Sequence, residues 1–402
     1  MKTVLACAAA LVTGLASAAQ PPAEAKPAAT AKPAATTASN PAAEAPSTLR
    51  NGRIGYVLTD LYWSIYQTPN ARSECPRGFN DGPREQFDAL FKGLKTKTVV
   101  DTQLKQEIAT WHPTPDADQF PFKEATGKTA LGMNIDGKVG LHDFTSPDGE
   151  KGIDNQLYRA LGCIIGFRGP DGVEYIFENK AISSDRYNRL MIELTNVDNL
   201  QNDPDVHVAI YRGRDRLLTD ASGNKVVSGG SQQIDTRWGA PLVREMKGKI
   251  VDGVLITEPI TDLVIPWENL SVPTFQLMRD ARFRLKLDPT AAQGMLAGYT
   301  DVDTWYKQLI RNDSTHHLSN GQISGISLYK ALRRLADAYP DPATHANTAI
   351  SSSLNAKFVQ VYIQPLDAEG KAQIARAMAK REQLQKQAAL TSNMQGATAR
   401  QQ

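Results

Sequence analysis

The chain has 402 residues, with 45 Lys+Arg against 43 Asp+Glu and a formal charge of +2 at pH 7. Such a length leaves room for two or three domains of ~100–200 residues each, and so even a charge balance argues against a generally basic nucleic-acid binder. Beyond the first twenty residues no apolar run reaches the ~18 needed for a membrane-spanning helix, so no transmembrane span is expected in the mature chain.

The N-terminus carries an export pattern. Lys2 gives a short positive region, Val4 to Leu15 an apolar stretch, and Ala16-Ser17-Ala18 the small-x-small signature of signal peptidase cleavage. Residues 1–18 are therefore expected to be a signal peptide cut after Ala18, and the mature protein to be periplasmic or extracellular. Cys7 lies too early, before the apolar stretch is complete, to serve as a lipoprotein acceptor. Residues 19–52 are expected to form a disordered linker, since up to Ser47 they are dominated by Ala, Pro, Thr, Glu and Lys. A segment with almost nothing large to bury cannot offset its ordering entropy, and its prolines favour an extended spacer. Without the leader two cysteines remain, Cys75 in a polar loop and Cys163 in the apolar run Cys163-Ile164-Ile165. In an oxidising compartment such a pair can close a disulfide; the alternative is two unpaired thiols, the buried one acting as a small hydrophobe.

Residues 53–366 read as the globular region. Ile54 to Tyr66 is rich in β-branched and aromatic residues and predicts a strand. Asp81-Gly82-Pro83 opens a short helical pattern through Phe87, Leu90 and Phe91. After residue 155 the dominant period is two. Pro170-Asp171-Gly172 predicts a turn between strands at Cys163–Phe167 and Val173–Phe177. Leu190, Ile192 and Leu194 alternate with polar or flexible neighbours, as do Val206, Val208 and Ile210. Asp252-Gly253 predicts a hairpin joining Lys249–Val251 to Val254–Thr257. Leu263–Ile265 is a short apolar run expected to end at Pro266. Phe283, Leu285 and Leu287 alternate with Arg282, Arg284 and Lys286. In the C-terminal third the period changes: helices are expected at Asp301–Ile310 and Ser327–Tyr339, then a strand at Phe358–Ile363. Residues 367–402 predict a solvated helix and a disordered tail. The fold class expected from this pattern is mainly β: an antiparallel β-sandwich, with a jelly roll as a variant, and a few peripheral helices.

The segment richest in chemistry is Asn134 to Gln156. Asn134, Asp136, Asp143, Asp148 and Asp154 offer the hard oxygen ligands that calcium requires. The spacing departs from an EF-hand, with Lys138 and Thr145 where acids would be wanted, and the alternative is a polar loop whose side chains cap its own turns. Arg282, Arg284 and Lys286 form a basic stripe suited to an acidic ligand, or simply the wet face of a strand. Trp238 and Trp267, near expected loops, are the candidate platforms for stacking a sugar. Glu174, Glu178 and Glu193 are candidates for a carboxylate pair. The His316-His317 pair and His142-Asp143 lack a recognisable partner set. No nucleophile elbow, Walker loop, dinucleotide fingerprint or zinc-protease helix motif occurs.

Phe144 to Gln156, with its Gly152-Ile153-Asp154-Asn155-Gln156 core, resembles a family of uncharacterised exported bacterial proteins. Leu190–Asn202, Tyr339–Pro342 and Asn347–Ile350 are similar too. The resemblance spans roughly residues 53–364 and implies one continuous unit, but no activity and no catalytic residue. The functional expectation is an exported, non-enzymatic protein that binds an envelope or extracellular ligand, a glycan or a protein among them. Two alternatives stand beside it: a secreted hydrolase whose carboxylates meet only in the fold, and a structural or assembly protein of the envelope.

Overall fold

The structure, a computed structural model, describes residues 48–66, 104–106, 109–112, 124–164, 167, 179, 182, 189–236, 243–269, 272–313 and 325–399. The expected leader, most of the linker, Cys75, the helix after Pro83, the Pro170 turn, Glu174, Glu178, Trp238 and His316-His317 lie outside these residues. The elements, in chain order, are β1 (Ile54–Trp63), β2 (Leu104–Gln106), β3 (Ala109–His112), β4 (Phe144–Thr145), β5 (Lys151–Ile153), α1 (Leu157–Leu161), β6 (Arg189–Thr195), β7 (Asp203–Gly213), β8 (Gly230–Gln232), β9 (Arg244–Val251), β10 (Val254–Thr257), β11 (Ile260–Asn269), β12 (Val272–Leu287), β13 (Ala291–Asp301), α2 (Val302–Asp313), α3 (Gly325–Leu335), β14 (Ala338–Pro340), β15 (Asn347–Ile363) and α4 (Ala368–Ala399).

Eight strands close into one antiparallel barrel in the order β1-β6-β7-β9-β10-β12-β13-β15, with β15 returning to β1. The expected sandwich is thereby overturned. A sandwich needs two sheets with free edges, whereas here β1 pairs from Gly55↔Val361 to Trp63↔Leu354 and seals the sheet upon itself. β8, β11 and β14 are additions outside the ring, on β15, β12 and β15 respectively.

The period-two residues decide which way each strand faces. Tyr56, Ile192, Val206, Leu255, Phe283, Leu296 and Leu354 are all 0% exposed, so these residues pack the barrel interior as a core. Glu245, Lys247, Lys249 and Lys286 face outward and are exposed. An apolar inside and a charged wall are the reverse of a membrane-spanning barrel, whose apolar band faces lipid. Among the described residues no helix is long and apolar enough to cross a membrane.

Local chemistry explains the turns and ends. Asp252 and Gly253 have φ of 51° and 77°, the two left-handed positions of a tight hairpin turn, and Val254 pairs with Val251 as expected. β11 runs through Pro266 instead of stopping there, because it lies outside the ring, where a missing amide is tolerated. Cys163 and Ile164 form a turn after α1, not the expected strand. α3 stops at Leu335, so Tyr339 lies in β14 and not at a helix end. At the end of β1, Trp63 stacks on Trp267 of β11 (5.5 Å) and meets the edge of Trp305 of α2 (5.9 Å). Leu328 and Leu332 of α3, both 0% exposed, belong to the same core.

Candidate functional site

The segment from 124 to 156 lies against the outer wall of β13 and β15, where Met133 and Ile135 pack on Ala297 and Tyr299. Each residue of the Gly152–Gln156 motif helps to hold it there. Gly152 has φ 78°, and an added Cβ would meet the Lys138 carbonyl oxygen at 2.3 Å. Ile153 is 0% exposed in the core. Asp154 Oδ2 accepts the amides of Ile135 (2.6 Å) and Asp136 (3.3 Å). Asn155 Nδ2 donates to the carbonyls of Ser64 (3.1 Å) and Leu131 (2.7 Å). Gln156 N donates to Ser351 Oγ (2.9 Å), and its Nε2 to the His142 carbonyl (2.7 Å).

Of the side chains that the sequence offers to calcium, Asn134, Asp136, Asp143 and Asp154 accept amides of the loop itself. Gly137 N donates to Asn134 Oδ1 (2.7 Å), Lys138 N to Asp136 Oδ1 (2.8 Å) and Gly140 N to Asp143 Oδ2. Asp148 is exposed in a turn closed by the bond from Gly149 N to the Ser146 carbonyl (3.0 Å). Among the described residues no three His, Cys, Asp or Glu are gathered as ligands for an ion. The arrangement is that of turn capping.

The fold brings the basic stripe to this same segment. Arg284 Nη1 pairs with Glu150 (2.9 Å), and its Nη2 donates to the Gly132 carbonyl (3.3 Å). Arg282 lies within electrostatic reach of Tyr299, and Lys286 is exposed. Trp267 is 7% exposed, with one ring face stacked on Trp63. Glu193 pairs with Arg53 (2.6 Å) on the wall. Cys163 is disulfide-bonded; Cys75, its expected partner, lies outside the described residues.

Three groups with no sequence signal join the loop: Tyr299, Asp337 and Ser351. Ser351 donates its hydroxyl to Asp337 Oδ2 (2.6 Å) and its amide to Oδ1 (2.7 Å). Burial pushes the Asp154 carboxyl up to about 6, against its two amide bonds and with help from the charges of Asp136 and Asp143. Burial raises Asp337 as well, opposed by the Ser351 bonds and reinforced by Asp143. Tyr299 is held above the usual phenol range by burial first, then by Asp154, Asp337 and Asp136.

Among the described residues, two open concavities lie elsewhere on the wall, beside α4. One groove of about 780 Å³ runs between β9, β11 and the helix; Val243, Ile260, Ala375 and Met378 line it together with Arg244, Glu245, Asp262 and Glu382. A second, of about 460 Å³, lies between Arg214, Gln233, Ile234 and Thr236 on one side and Leu366 with the first turns of α4 on the other. Ile374 and Leu366 anchor the helix on an outer apolar cluster with Val57, Met191 and Val361. No protein-family model, no curated protein and no solved structure matches the chain.

Proposed function

We propose that this chain is an exported, non-enzymatic binding protein, a solid barrel that takes a small amphipathic ligand of the envelope or extracellular space on its outer wall. The observation that carries this reading is the groove of about 780 Å³ beneath α4. Its size falls in the ~300–1,000 Å³ range of small-molecule sites, and an apolar floor with a few charged groups is their usual lining. Val243 and Ile260 supply that floor, 6% and 8% exposed, and Met378 on the helix is 52% exposed above it. Arg244 is oriented by its bond to the Asp262 carbonyl (2.8 Å). The disulfide at Cys163 supports an oxidising destination. Trp267, its ring face already covered by Trp63, makes an amphiphile a better fit than a stacked sugar.

The test is a thermal-shift screen of the mature chain against medium-chain fatty acids, lysophospholipids and short oligosaccharides. An amphiphile is expected to raise Tm with the logarithm of its concentration above Kd, and Met378→Asp to abolish the shift while leaving the ligand-free Tm nearly unchanged. No shift from any amphiphile would overturn the reading, and a shift from oligosaccharides alone would return it to a glycan.

A further inference from the structure

We propose that the groove of about 460 Å³ at the start of α4 is a second binding site. It takes a short zwitterionic peptide, with the peptide's carboxylate on Arg214 and its ammonium on Asp367 and Glu369. This groove shares no lining residue with the larger one, so the proposal does not depend on the amphiphile reading.

The groove is polarised from wall to wall. On the barrel side Arg214 follows β7 and Gln233 follows β8. Arg214 N donates to the Gln233 carbonyl (3.1 Å), and Arg214 Nη1 to Gln233 Oε1 (3.2 Å). The second bond orients the guanidinium and leaves its remaining N–H groups, with the Gln233 amino group, as donors. The neighbouring carboxylate, Asp215, is engaged by the Gln233 amide (2.7 Å). The opposite wall offers acceptors. Asp367 Oδ1 accepts the Gly370 amide (2.7 Å), which leaves Oδ2. Gln364 Nε2 donates to Ser231 Oγ (2.8 Å) and Gln373 Nε2 to Glu369 Oε1 (3.3 Å), so each of these glutamines keeps its oxygen. Asp367 and Glu369 also offset the positive start of the helix.

Although both walls line one groove, no ion pair joins Arg214 to Asp367 or Glu369 among the described residues. Opposite charges held apart in this way suit a ligand that brings its own pair at matching ends and makes charge-assisted bonds at both. A ligand with a single charge satisfies one wall and leaves the other unanswered. Between the walls, Ile234, Pro365 and Leu366 give an apolar stretch for one aliphatic side chain. The Gln233 amino group and the Gln364 and Gln373 oxygens match the C=O and N–H of a peptide unit. The volume sits low in the ~300–1,000 Å³ range of small-molecule sites, the scale of a short peptide.

Ligand-observed NMR titration of the mature chain with alanyl-leucyl-alanine and its end-blocked forms tests this. Amidating the carboxylate or acetylating the ammonium is expected to weaken binding about tenfold each, the scale of one charge-assisted bond. Arg214→Gln is expected to weaken the free tripeptide about tenfold and to leave the affinity of its C-terminal amide unchanged, since that ligand has no carboxylate to lose. Glu369→Gln is expected to weaken the free tripeptide and to spare the acetylated one. No binding of the free tripeptide at millimolar concentration overturns the site, and so does equal affinity for the doubly blocked form. A loss in Arg214→Gln that is the same for the free and amidated peptides also overturns it. Should a variant fail to fold, the wild-type ligand series decides alone.

Discussion

Gly152 and Gly149 have similar backbone angles, φ of 78° and 93°, but very different surroundings. A Cβ at Gly149 meets nothing within 4 Å, whereas one at Gly152 lies 2.3 Å from the Lys138 oxygen and 2.6 Å from Asn134 Nδ2. Replacing Gly149 by Ala carries only the left-handed backbone cost, about 1 kcal/mol. Replacing Gly152 adds a collision with backbone that can be relieved only by lifting the loop, for a cost on the order of 3 kcal/mol. Chemical denaturation of the two variants checks the difference; equal losses would mean that the contact under Gly152 relaxes easily. The polar residues of this segment were legible as turn formers, because Asn and Asp spaced two or three positions from an amide cap turns locally. Their partners on the wall were not. Ser351 meets Gln156 across a separation of 195 residues, and no spacing rule reaches that far.

At the scale of elements, strands whose apolar residues alternate with polar or flexible ones could be read, and strands without that alternation could not. Val206, Val208 and Ile210 of β7 turn inward, as do Phe283, Leu285 and Leu287 of β12, and the residues between them are wetter. Ile350 to Leu354 of β15 are buried without a break, inside by the core and outside by the Asn134–Gln156 segment, so no alternation survives. Of the serines among them, Ser352 is satisfied laterally: it shares a 2.7 Å hydrogen bond with Thr300 and donates to the Gly298 carbonyl (3.1 Å). β13 was equally silent, since close crossing demands small residues. A Cβ on Gly294 would lie 2.1 Å from the Arg284 oxygen. With β13 and the first half of β15 unread, closure was unread as well. The helix starts were easier. Asp301 Oδ1 accepts the Thr304 amide (2.9 Å) at the head of α2, and its Oδ2 pairs with Arg279 (2.8 Å). Asp301→Ala removes the cap and a charge-assisted bond together and is expected to cost about 2 kcal/mol. Asp301→Asn, which keeps the cap oxygen, should recover about half in urea titrations, and no recovery would assign the whole effect to Arg279.

For the whole molecule, the decisive contact joins the first ring strand to the last. β1 supplies Tyr56, Leu58 and Leu61 to the interior and pairs with both β6 and β15. α4, by contrast, lies outside the ring; Ile374, 8% exposed, is its buried apolar residue among those described. Two truncations separate these roles. A chain ending at Leu366 keeps every ring strand and loses one wall of each groove. It is expected to melt cooperatively, weakened by roughly 1–3 kcal/mol from the uncovered apolar cluster, and to lose its amphiphile-induced shift. A chain beginning after Trp63 leaves β6 and β15 each with one open edge, and a gap through the core. Open edges of that length invite association, and removing three large interior side chains costs about as much as a typical domain's entire margin of ~5–15 kcal/mol. It should give no cooperative melt and should elute as aggregate. A folded monomer from that chain would mean that the remaining seven strands close without β1, and the barrel described here would then not be the unit that holds the protein together.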